Sequence, residues 1–286
     1  MNQRSQPFRV KIFRSCRRIL LACLAVYAVF CLGCATFQRS LIYYPTTFTP
    51  VQVKFMAQSA KLERWCNAAG DPIGMKRLAP VSPGQGQVLV TYGNGSSAIG
   101  CSHYADDIQK LANWDVFILE YPGYADRPGR PTQKTIFSAA TEALQLLDSN
   151  RPVYLVGESL GTGVAAYLAG TYSNRIAGVV LIAPFTRLAD AAAIHYSWLP
   201  VHWLLVDRFP SEVFLRQYHG PVGIIVGGCD RVVPEELGRR LYAGYQGPKQ
   251  LWTFPKDGHG DLFGRLPSVW SQLSALWQSN QVLRSY

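Results

Sequence analysis

Acidic residues are absent from the first 40 positions of the sequence, although those positions contain seven basic residues. The whole chain has 28 Lys and Arg against 18 Asp and Glu, a formal net charge of +10. Beyond position 40 the balance is 21 basic to 18 acidic residues, which is nearly neutral. A strongly basic surface is the usual sign of nucleic-acid binding, so this distribution argues against nucleic acid as a partner.

Motifs for metals, disulfides and nucleotides are also missing after residue 37. Only Cys66, Cys101 and Cys229 of the seven cysteines lie there, and none of them forms a Cys-x-x-Cys pair. This spacing excludes a disulfide framework and a zinc site, and we expect each of the three thiols to be buried. The sequence has no glycine-rich loop with a Walker lysine and no dinucleotide fingerprint. We therefore expect no cofactor.

A run of 19 uncharged residues, 19–37, follows the basic residues of the head. A basic segment followed by an apolar one is typical of signal peptides and signal anchors, whose basic end stays in the cytoplasm. We predict a basic leader with a membrane-directed segment over residues 1–37, a tether over 38–60 and a catalytic domain over 61–286. The catalytic domain is expected on the extracytoplasmic side, in the periplasm or cell envelope if the source is a bacterium.

Two interpretations of this apolar run differ at Leu32-Gly33-Cys34. In a bacterial protein these residues resemble a lipobox, with Cys34 as the lipidated mature N-terminus, although Cys31 stands where leucine is usual. In the second interpretation the run is an uncleaved transmembrane anchor, for which its length is just sufficient. A buried core helix is a third interpretation, which the preceding basic residues disfavour.

The rest of the sequence alternates between apolar runs and stretches with helical spacing. Predicted strands cover residues 87–92, 115–121, 153–157, 178–183, 222–227 and 250–254. Predicted helices cover residues 103–112, 133–148, 160–171, 234–245 and 267–278. This alternation indicates an α/β fold, with a mostly parallel sheet and helices on both faces. Residues 62–66 and 73–78 are predicted to form an antiparallel hairpin at the start of the sheet.

The most informative motif is Gly157-Glu158-Ser159-Leu160-Gly161, between a predicted strand and a predicted helix. A Gly-x-Ser-x-Gly sequence in this place is typical of a nucleophile elbow, a strained turn that exposes a serine hydroxyl above the sheet. Glycines flank the serine because side chains there would collide with the turn. The motif therefore predicts Ser159 as a catalytic nucleophile.

A serine nucleophile needs a histidine base, and a carboxylate must hold that histidine in one tautomer. On an elbow fold these partners follow in the order serine, acid, histidine. Asp230 lies in the turn after a predicted strand, and His259 lies in a glycine-flanked loop after the last strand. We predict Asp230 as the acid and His259 as the base. Asp257 and Asp261 are alternatives for the acid, and capping of the next helix is an alternative role for Asp230.

The oxyanion of a tetrahedral intermediate needs hydrogen-bond donors, usually two backbone N–H groups. The sequence predicts one at Leu160, directly after the nucleophile, and the other at Asn94 in the turn after the strand at 87–92. A glycine turn with no part in catalysis is the alternative for this second site.

Seven segments of the chain are specific when taken together. They are Phe37-Gln-Arg-Ser-Leu-Ile-Tyr-Tyr-Pro45, Tyr92-Gly-Asn-Gly95, Glu120-Tyr-Pro-Gly-Tyr124, Gly157-Glu-Ser-Leu-Gly161, Ala183-Pro-Phe-Thr186, Trp198-Leu-Pro200 and Gly258-His259. Through them, residues 37–275 resemble the BEM46-like branch of the α/β-hydrolase superfamily, which includes lipoprotein-like bacterial hydrolases and membrane-anchored eukaryotic relatives. The resemblance implies the α/β-hydrolase fold and a Ser-Asp-His triad, and it carries over to Ser159, Asp230, His259, Asn94 and Leu160.

The sequence departs from this family pattern at two places. The family usually has His-Gly-Asn at the oxyanion turn, where this chain has Tyr92-Gly93-Asn94. We expect the oxyanion hole to be intact and its support to differ. The segment between Gly70 and Pro83 lacks the family's usual aromatic second strand.

Residues 191–206, called the cap segment below, are rich in aromatic and aliphatic side chains. One hypothesis is that they form an apolar acyl pocket close to the membrane, and the other is that they form a helix packed on the sheet. The expected activity is hydrolysis of an ester or thioester, with a small-molecule or acyl-ester substrate. A serine peptidase with the same triad and a non-catalytic envelope protein on this fold are the alternatives. The sequence leaves the oligomeric state open.

Overall fold

The computed structural model describes residues 6–284, with side chains over residues 13–278. Residues 1–5 of the predicted leader and residues 285–286 of the predicted domain lie outside this part. The helices are α1 (Gln6–Ile42), α2 (Pro50–Ser59), α3 (His103–Leu111), α4 (Gln133–Gln145), α5 (Leu160–Thr171), α6 (Leu188–His195), α7 (Val201–Leu204), α8 (Ser211–Leu215), α9 (Glu235–Gly244) and α10 (Leu266–Arg284). The strands are β1 (Glu63–Cys66), β2 (Pro72–Arg77), β3 (Gly86–Thr91), β4 (Trp114–Leu119), β5 (Val153–Glu158), β6 (Ile176–Ile182), β7 (Val222–Gly227) and β8 (Lys249–Phe254).

All eight strands form one sheet in the order β1-β2-β4-β3-β5-β6-β7-β8. The β1–β2 hairpin and the β2–β4 pair are antiparallel, and all later pairs are parallel. Every residue of β3, β5 and β7 is buried, which requires both faces of the sheet to be covered. The predicted α/β class, the mostly parallel sheet and the initial hairpin are therefore confirmed. The sheet and the elements packed on it are called the body below.

Helix α1 contains the predicted apolar run. Its part from Phe13 to Ile42 contains an 18-residue stretch with a mean hydropathy of 2.4 and is long and apolar enough to cross a membrane, by length and composition. This agrees with a membrane anchor or a signal segment. The same helix continues to the body, where the Tyr43 hydroxyl, one residue beyond its end, donates to Asp207 at 2.8 Å.

The segment predicted as a tether, residues 38–60, packs on the body. Thr49 caps α2, with its side chain accepting the Gln52 N–H at 3.3 Å, and Pro50 occupies the first helical position. Val53 and Ala57 of this helix are buried. The division of the chain into leader, tether and domain stays a prediction.

The expected burial of the three body cysteines holds for Cys101 but is wrong for Cys229, and Cys66 is half-buried. Cys229 is exposed because it lies in the turn that leaves β7, outside the buried sheet.

Candidate active site

The turn at Ser159 joins β5 to α5 in a strained conformation. Ser159 has φ of 49° and ψ of −117°, a region that non-glycine residues rarely adopt and that costs about 1–3 kcal/mol. Its N–H donates to the Ile182 carbonyl of β6 at 2.9 Å, which fixes the turn against the neighbouring strand. Backbone strain of this kind is typical of a nucleophile elbow.

The two glycines of the motif allow α5 to approach the sheet closely. A Cβ on Gly161 would collide with the Thr91 carbonyl of β3, and a Cβ on Gly157 would lie 2.9 Å from the Gly161 oxygen. Any larger residue would therefore push the helix away and move Ser159 with it.

His259 connects Ser159 to Asp230. Its Nε2 lies 3.0 Å from Ser159 Oγ, and its Nδ1 lies 2.7 Å from Asp230 Oδ2. The Asp230 side chain is only 1 % exposed and that of His259 is 18 % exposed. A buried carboxylate that accepts the Nδ1 proton leaves Nε2 able to accept the serine proton.

Asp230 uses each carboxylate oxygen for a different purpose. Its Oδ1 accepts the N–H groups of Val232 and Val233, both at 2.8 Å, while Oδ2 faces His259. Asp230 does not cap the next helix, because the N-cap residue of α9 is Pro234. Asp230 instead holds the turn ahead of that helix.

The two alternative acids have other partners. Asp257 forms a bidentate ion pair with Arg265 at 2.5 and 2.8 Å. Asp261 accepts the N–H of Gly258 at 2.9 Å. Over residues 13–278, Asp230 is therefore the carboxylate that reaches the imidazole of His259.

Asn94 and Leu160, the predicted oxyanion donors, both line the cavity at Ser159. Within residues 6–284 the backbone N–H of neither residue donates to another protein group. Both groups can therefore donate to a substrate oxygen, as an oxyanion hole requires.

Two buried glutamates, which were not predicted from the sequence, hold the turn that contains Asn94 in place. Glu158 accepts the Gly93 N–H at 3.1 Å, and Glu120 accepts the Ala98 N–H at 3.0 Å. The Tyr92 hydroxyl donates to Glu120, so Tyr92 joins this network where the family usually has histidine. The only signal in the sequence was the position of each glutamate at the end of an apolar strand.

Burial shifts the titration of both carboxyls. It raises the pKa of Glu120 from its ordinary value of 4.5 to about 7, and it also raises the pKa of Glu158. Hydrogen bonds to Glu120 from Tyr92 and Ala98 act in the opposite direction but are weaker than the burial effect.

Substituting Glu120→Gln is expected to remove part of the pH dependence of stability. Between pH 4.5 and 7 the unfolded carboxyl ionises while the folded one stays protonated, so the wild type loses stability as pH rises through this interval. The free energy of unfolding of the variant, relative to wild type, should therefore rise by about 3 kcal/mol from pH 4.5 to 8. Denaturant unfolding followed by tryptophan fluorescence at several pH values measures it. Parallel pH curves for the two proteins would contradict the assignment.

An apolar cavity of about 460 Å³ opens at Ser159. Its volume lies in the range of sites for small organic ligands. Cap-segment residues, including Ala191, Trp198 and Leu199, form one wall. The structure thus places the cap segment beside the serine, as the pocket hypothesis expects, and Ala191 is also part of the buried core.

Helix α1 forms another wall of this cavity. Phe30, Cys34 and Gln38 on successive turns of the helix line it, followed by Leu41 and Ile42. The sequence predicted a membrane-directed segment here and gave no sign of contact with the site. Cys34, the predicted lipidation residue, is therefore a cavity-lining residue.

Comparison with known proteins agrees with the fold. The chain is 34% identical to an uncharacterised protein of Mycobacterium tuberculosis over 252 residues, which cover 84% of this chain and 88% of that protein. A family model described as the alpha/beta hydrolase fold matches residues 88–212. The chain belongs to the α/β-hydrolase fold family. In this α/β-hydrolase the matched residues contain Ser159 but end before Asp230 and His259, so the partners of the serine rest on the geometry above.

Other similar proteins include lipases and esterases. The α/β-hydrolase is 30% identical to the lysophosphatidylserine lipase ABHD12 of Danio rerio over 176 residues, which cover 54% of this chain and 46% of that protein. Its structure superposes on the esterase Pf2001 of Pyrococcus furiosus with a TM-score of 0.61 and 14% identity, covering 83% of this chain and 99% of that one. At this identity the structural likeness shows the fold alone.

Proposed function

We propose that this α/β-hydrolase is a membrane-attached serine esterase of the BEM46-like branch, which cleaves an ester or thioester through an acyl-enzyme. The main support for the proposal is the chain of hydrogen bonds from Asp230 through His259 to Ser159, at one end of an apolar cavity. The names of two similar proteins, a lysophosphatidylserine lipase and an esterase, support an acyl ester as the substrate class.

The proposed reaction has two halves, and both use His259 to move a proton. In the first, Ser159 Oγ attacks the carbonyl carbon while His259 Nε2 takes its proton. His259 then gives that proton to the departing alcohol or thiol, which leaves an acyl group on Ser159. In the second, His259 takes a proton from water, the hydroxide attacks the acyl carbonyl, and the proton returns to Ser159 as the acid leaves.

The other groups of the site would stabilise the charges that form during the reaction or hold the reacting groups in position. The backbone N–H groups of Leu160 and Asn94 would donate to the oxygen that becomes negative in each tetrahedral intermediate. Asp230 stabilises the imidazolium that His259 forms while it holds the proton. Glu158 and Glu120 keep the turn that contains Asn94 in place.

The proposed location of the body is the extracytoplasmic side of a membrane. Arg14, Arg17 and Arg18 precede the uncharged run in α1, and basic residues are enriched on the cytoplasmic side of membrane segments. The opposite end of α1 leads into the body, which would then lie on the other side of the membrane.

Two forms of attachment remain distinct proposals, a lipidated Cys34 and an uncleaved anchor. Cleavage before Cys34 would remove Tyr27, whose hydroxyl donates to the Trp198 carbonyl at 2.7 Å, and Phe30, whose ring packs on that of Trp198. These contacts favour the uncleaved anchor. The mass of the mature protein distinguishes the two forms.

A panel of p-nitrophenyl esters tests the proposed substrate class. We expect kcat/KM to rise from acetate to longer acyl chains, because each methylene placed in the apolar cavity contributes up to about 0.8 kcal/mol, or roughly fourfold. Thioester and peptide substrates belong in the same panel. A strict preference for acetate would contradict an acyl-binding role of the cavity, and cleavage of peptides alone would contradict the esterase assignment.

A further inference from the structure

The cavity at Ser159 is elongated along α1. The end of α1 lies at the serine, since Asn94, which lines the cavity beside Ser159, donates from its side chain to the Ile42 carbonyl. With a rise of 1.5 Å per residue, Cys34 lies roughly 12 Å and Phe30 roughly 18 Å farther along the helix axis. Both residues still line the cavity. The cavity therefore runs from the serine along the pocket-facing side of α1.

Hydrogen bonds fasten this side of α1 to the cap segment and the residue after it. Gln38 accepts the Val206 N–H at 2.7 Å and donates to the Leu204 carbonyl at 3.2 Å. Arg39 pairs with Asp207 at 3.3 Å. Together with the contacts of Tyr27 and Phe30 to Trp198, these bonds fix the helix as a wall of the cavity.

The charges on α1 fix the depth of this wall in a membrane. The uncharged residues 19–37 lie between Arg18 and Arg39 and span roughly 28 Å, close to the thickness of the hydrocarbon core. Phe30 then lies roughly 10 Å inside the hydrocarbon, while Ile42 lies roughly 8 Å outside it. The serine end of the cavity is thus at the level of the lipid headgroups, and the far end is in the hydrocarbon.

The cap segment faces α1 and must occupy the same layer. It contains no Asp, Glu, Lys or Arg. Its large apolar side chains are exposed to an extent that is unusual for a surface in water, with Trp203 88 % exposed. The other exposed members are Ile194, Tyr196, Trp198 and Val206. Such a surface suits contact with lipid, and tryptophan is enriched at the membrane interface.

We infer that the Ser159 cavity opens between α1 and the cap segment into the leaflet nearer the body, and that it takes one acyl chain of a lipid ester laterally from that leaflet. The ester bond then meets Ser159 at headgroup level while the chain stays in the hydrocarbon along Cys34 and Phe30. This inference rests on the proposed esterase function and adds to it the source of the substrate and the role of α1.

Two tryptophan substitutions on α1 test the inference in the full-length protein. Cys34→Trp fills the cavity, whereas the control Leu32→Trp adds the same side chain at a position that is 67 % exposed and does not line it. The proteins are placed in vesicles of a diether phosphatidylcholine, which has no ester bond. The substrates are p-nitrophenyl palmitate in the vesicle and p-nitrophenyl butyrate in water.

The expected readout is the ratio of kcat/KM for the palmitate ester to that for the butyrate ester. Cys34→Trp should lower this ratio about tenfold, because the added ring occupies space that the longer chain needs and only the longer chain extends to residue 34. Leu32→Trp should keep the wild-type ratio. A wild-type ratio in both variants would overturn the inference.

A second pair of variants covers failure of Cys34→Trp to fold, which loss of fluorophosphonate labelling would reveal. Phe30→Ala removes the ring that packs on Trp198, and it should lower the same ratio several-fold, whereas the exposed control Val29→Ala should not. A mature N-terminus at Cys34, or equal ratios in this pair, would overturn the inference.

The wild-type protein separates the two proposals. Hydrolysis of the butyrate ester without hydrolysis of the vesicle ester would overturn lateral access and leave the esterase function standing. Hydrolysis of neither ester, with no fluorophosphonate labelling, would overturn the esterase function and with it this inference.

Discussion

Ser159→Ala is expected to abolish covalent labelling by a fluorophosphonate and to lower kcat for ester hydrolysis by about 10⁴–10⁶-fold. The variant lacks the oxygen that would form the proposed acyl-enzyme, and neither His259 nor Asp230 can replace it. The remaining rate would come from the oxyanion donors and the cavity alone. Labelling is measured on gels and by mass spectrometry of the modified peptide.

The fold should tolerate this change. Alanine keeps the Cβ of serine, so the strain of the turn at φ 49° is the same in both proteins and thermal stability should not change. Ser271→Ala, at an exposed position on α10, is the matched control and should label like the wild type. Labelling that persists in Ser159→Ala would refute Ser159 as the nucleophile.

Asp230→Asn is expected to lower kcat by about 10⁴-fold while leaving the structure of the site in place. The asparagine oxygen can still accept the N–H groups of Val232 and Val233. Its amide, however, donates to Nδ1 of His259, which puts the imidazole proton on Nε2. In that tautomer the imidazole cannot accept the proton of Ser159.

Asp257→Asn is the matched control for the acid. Asp257 lies two residues before His259 in the chain but pairs with Arg265, so its loss should not change kcat. Steady-state kinetics on the same ester compare the two variants. A large loss of kcat in Asp257→Asn with normal activity in Asp230→Asn would reverse the assignment of the acid.

The fold was predictable because the pattern that defines it is local. Parallel strands covered on both faces are continuous apolar runs, and those ending at Gly227 and Phe254 were found within one residue of their observed bounds. Gly-x-Ser-x-Gly identified the strand-to-helix turn because side chains at its two glycines would collide with β3 and α5, and any turn of this kind brings these elements equally close.

The sequence favoured Asp230 as the acid but did not exclude the two alternatives. Asp230 and Asp257 precede His259, as the order serine, acid, histidine requires, and Asp257 and Asp261 each lie only two residues from His259 in the chain. The structure separates them through their partners, since Arg265 and the Gly258 N–H occupy the other two carboxylates. Those partners have no fixed spacing that a pattern could reveal.

The contact between α1 and the cavity could not be predicted from the sequence, for a different reason. An apolar side chain such as Phe30 satisfies a lipid environment and a protein environment equally well, so an uncharged run does not show which face touches protein. Gln38, directly after the run, is polar, and its two bonds to the cap segment explain why it is there.

The hydrogen bonds of the Asn94 side chain bear on which step would limit the rate of turnover. Its side chain accepts the Tyr44 N–H at 2.9 Å and the Tyr124 hydroxyl at 2.7 Å, and it donates to the Ile42 carbonyl. These bonds complete the oxyanion turn when the chain folds, before any substrate arrives. In the proposed mechanism, acylation would need no induced closure of a lid, so the delivery of substrate and the chemical step, rather than a conformational step, would set the rate of turnover.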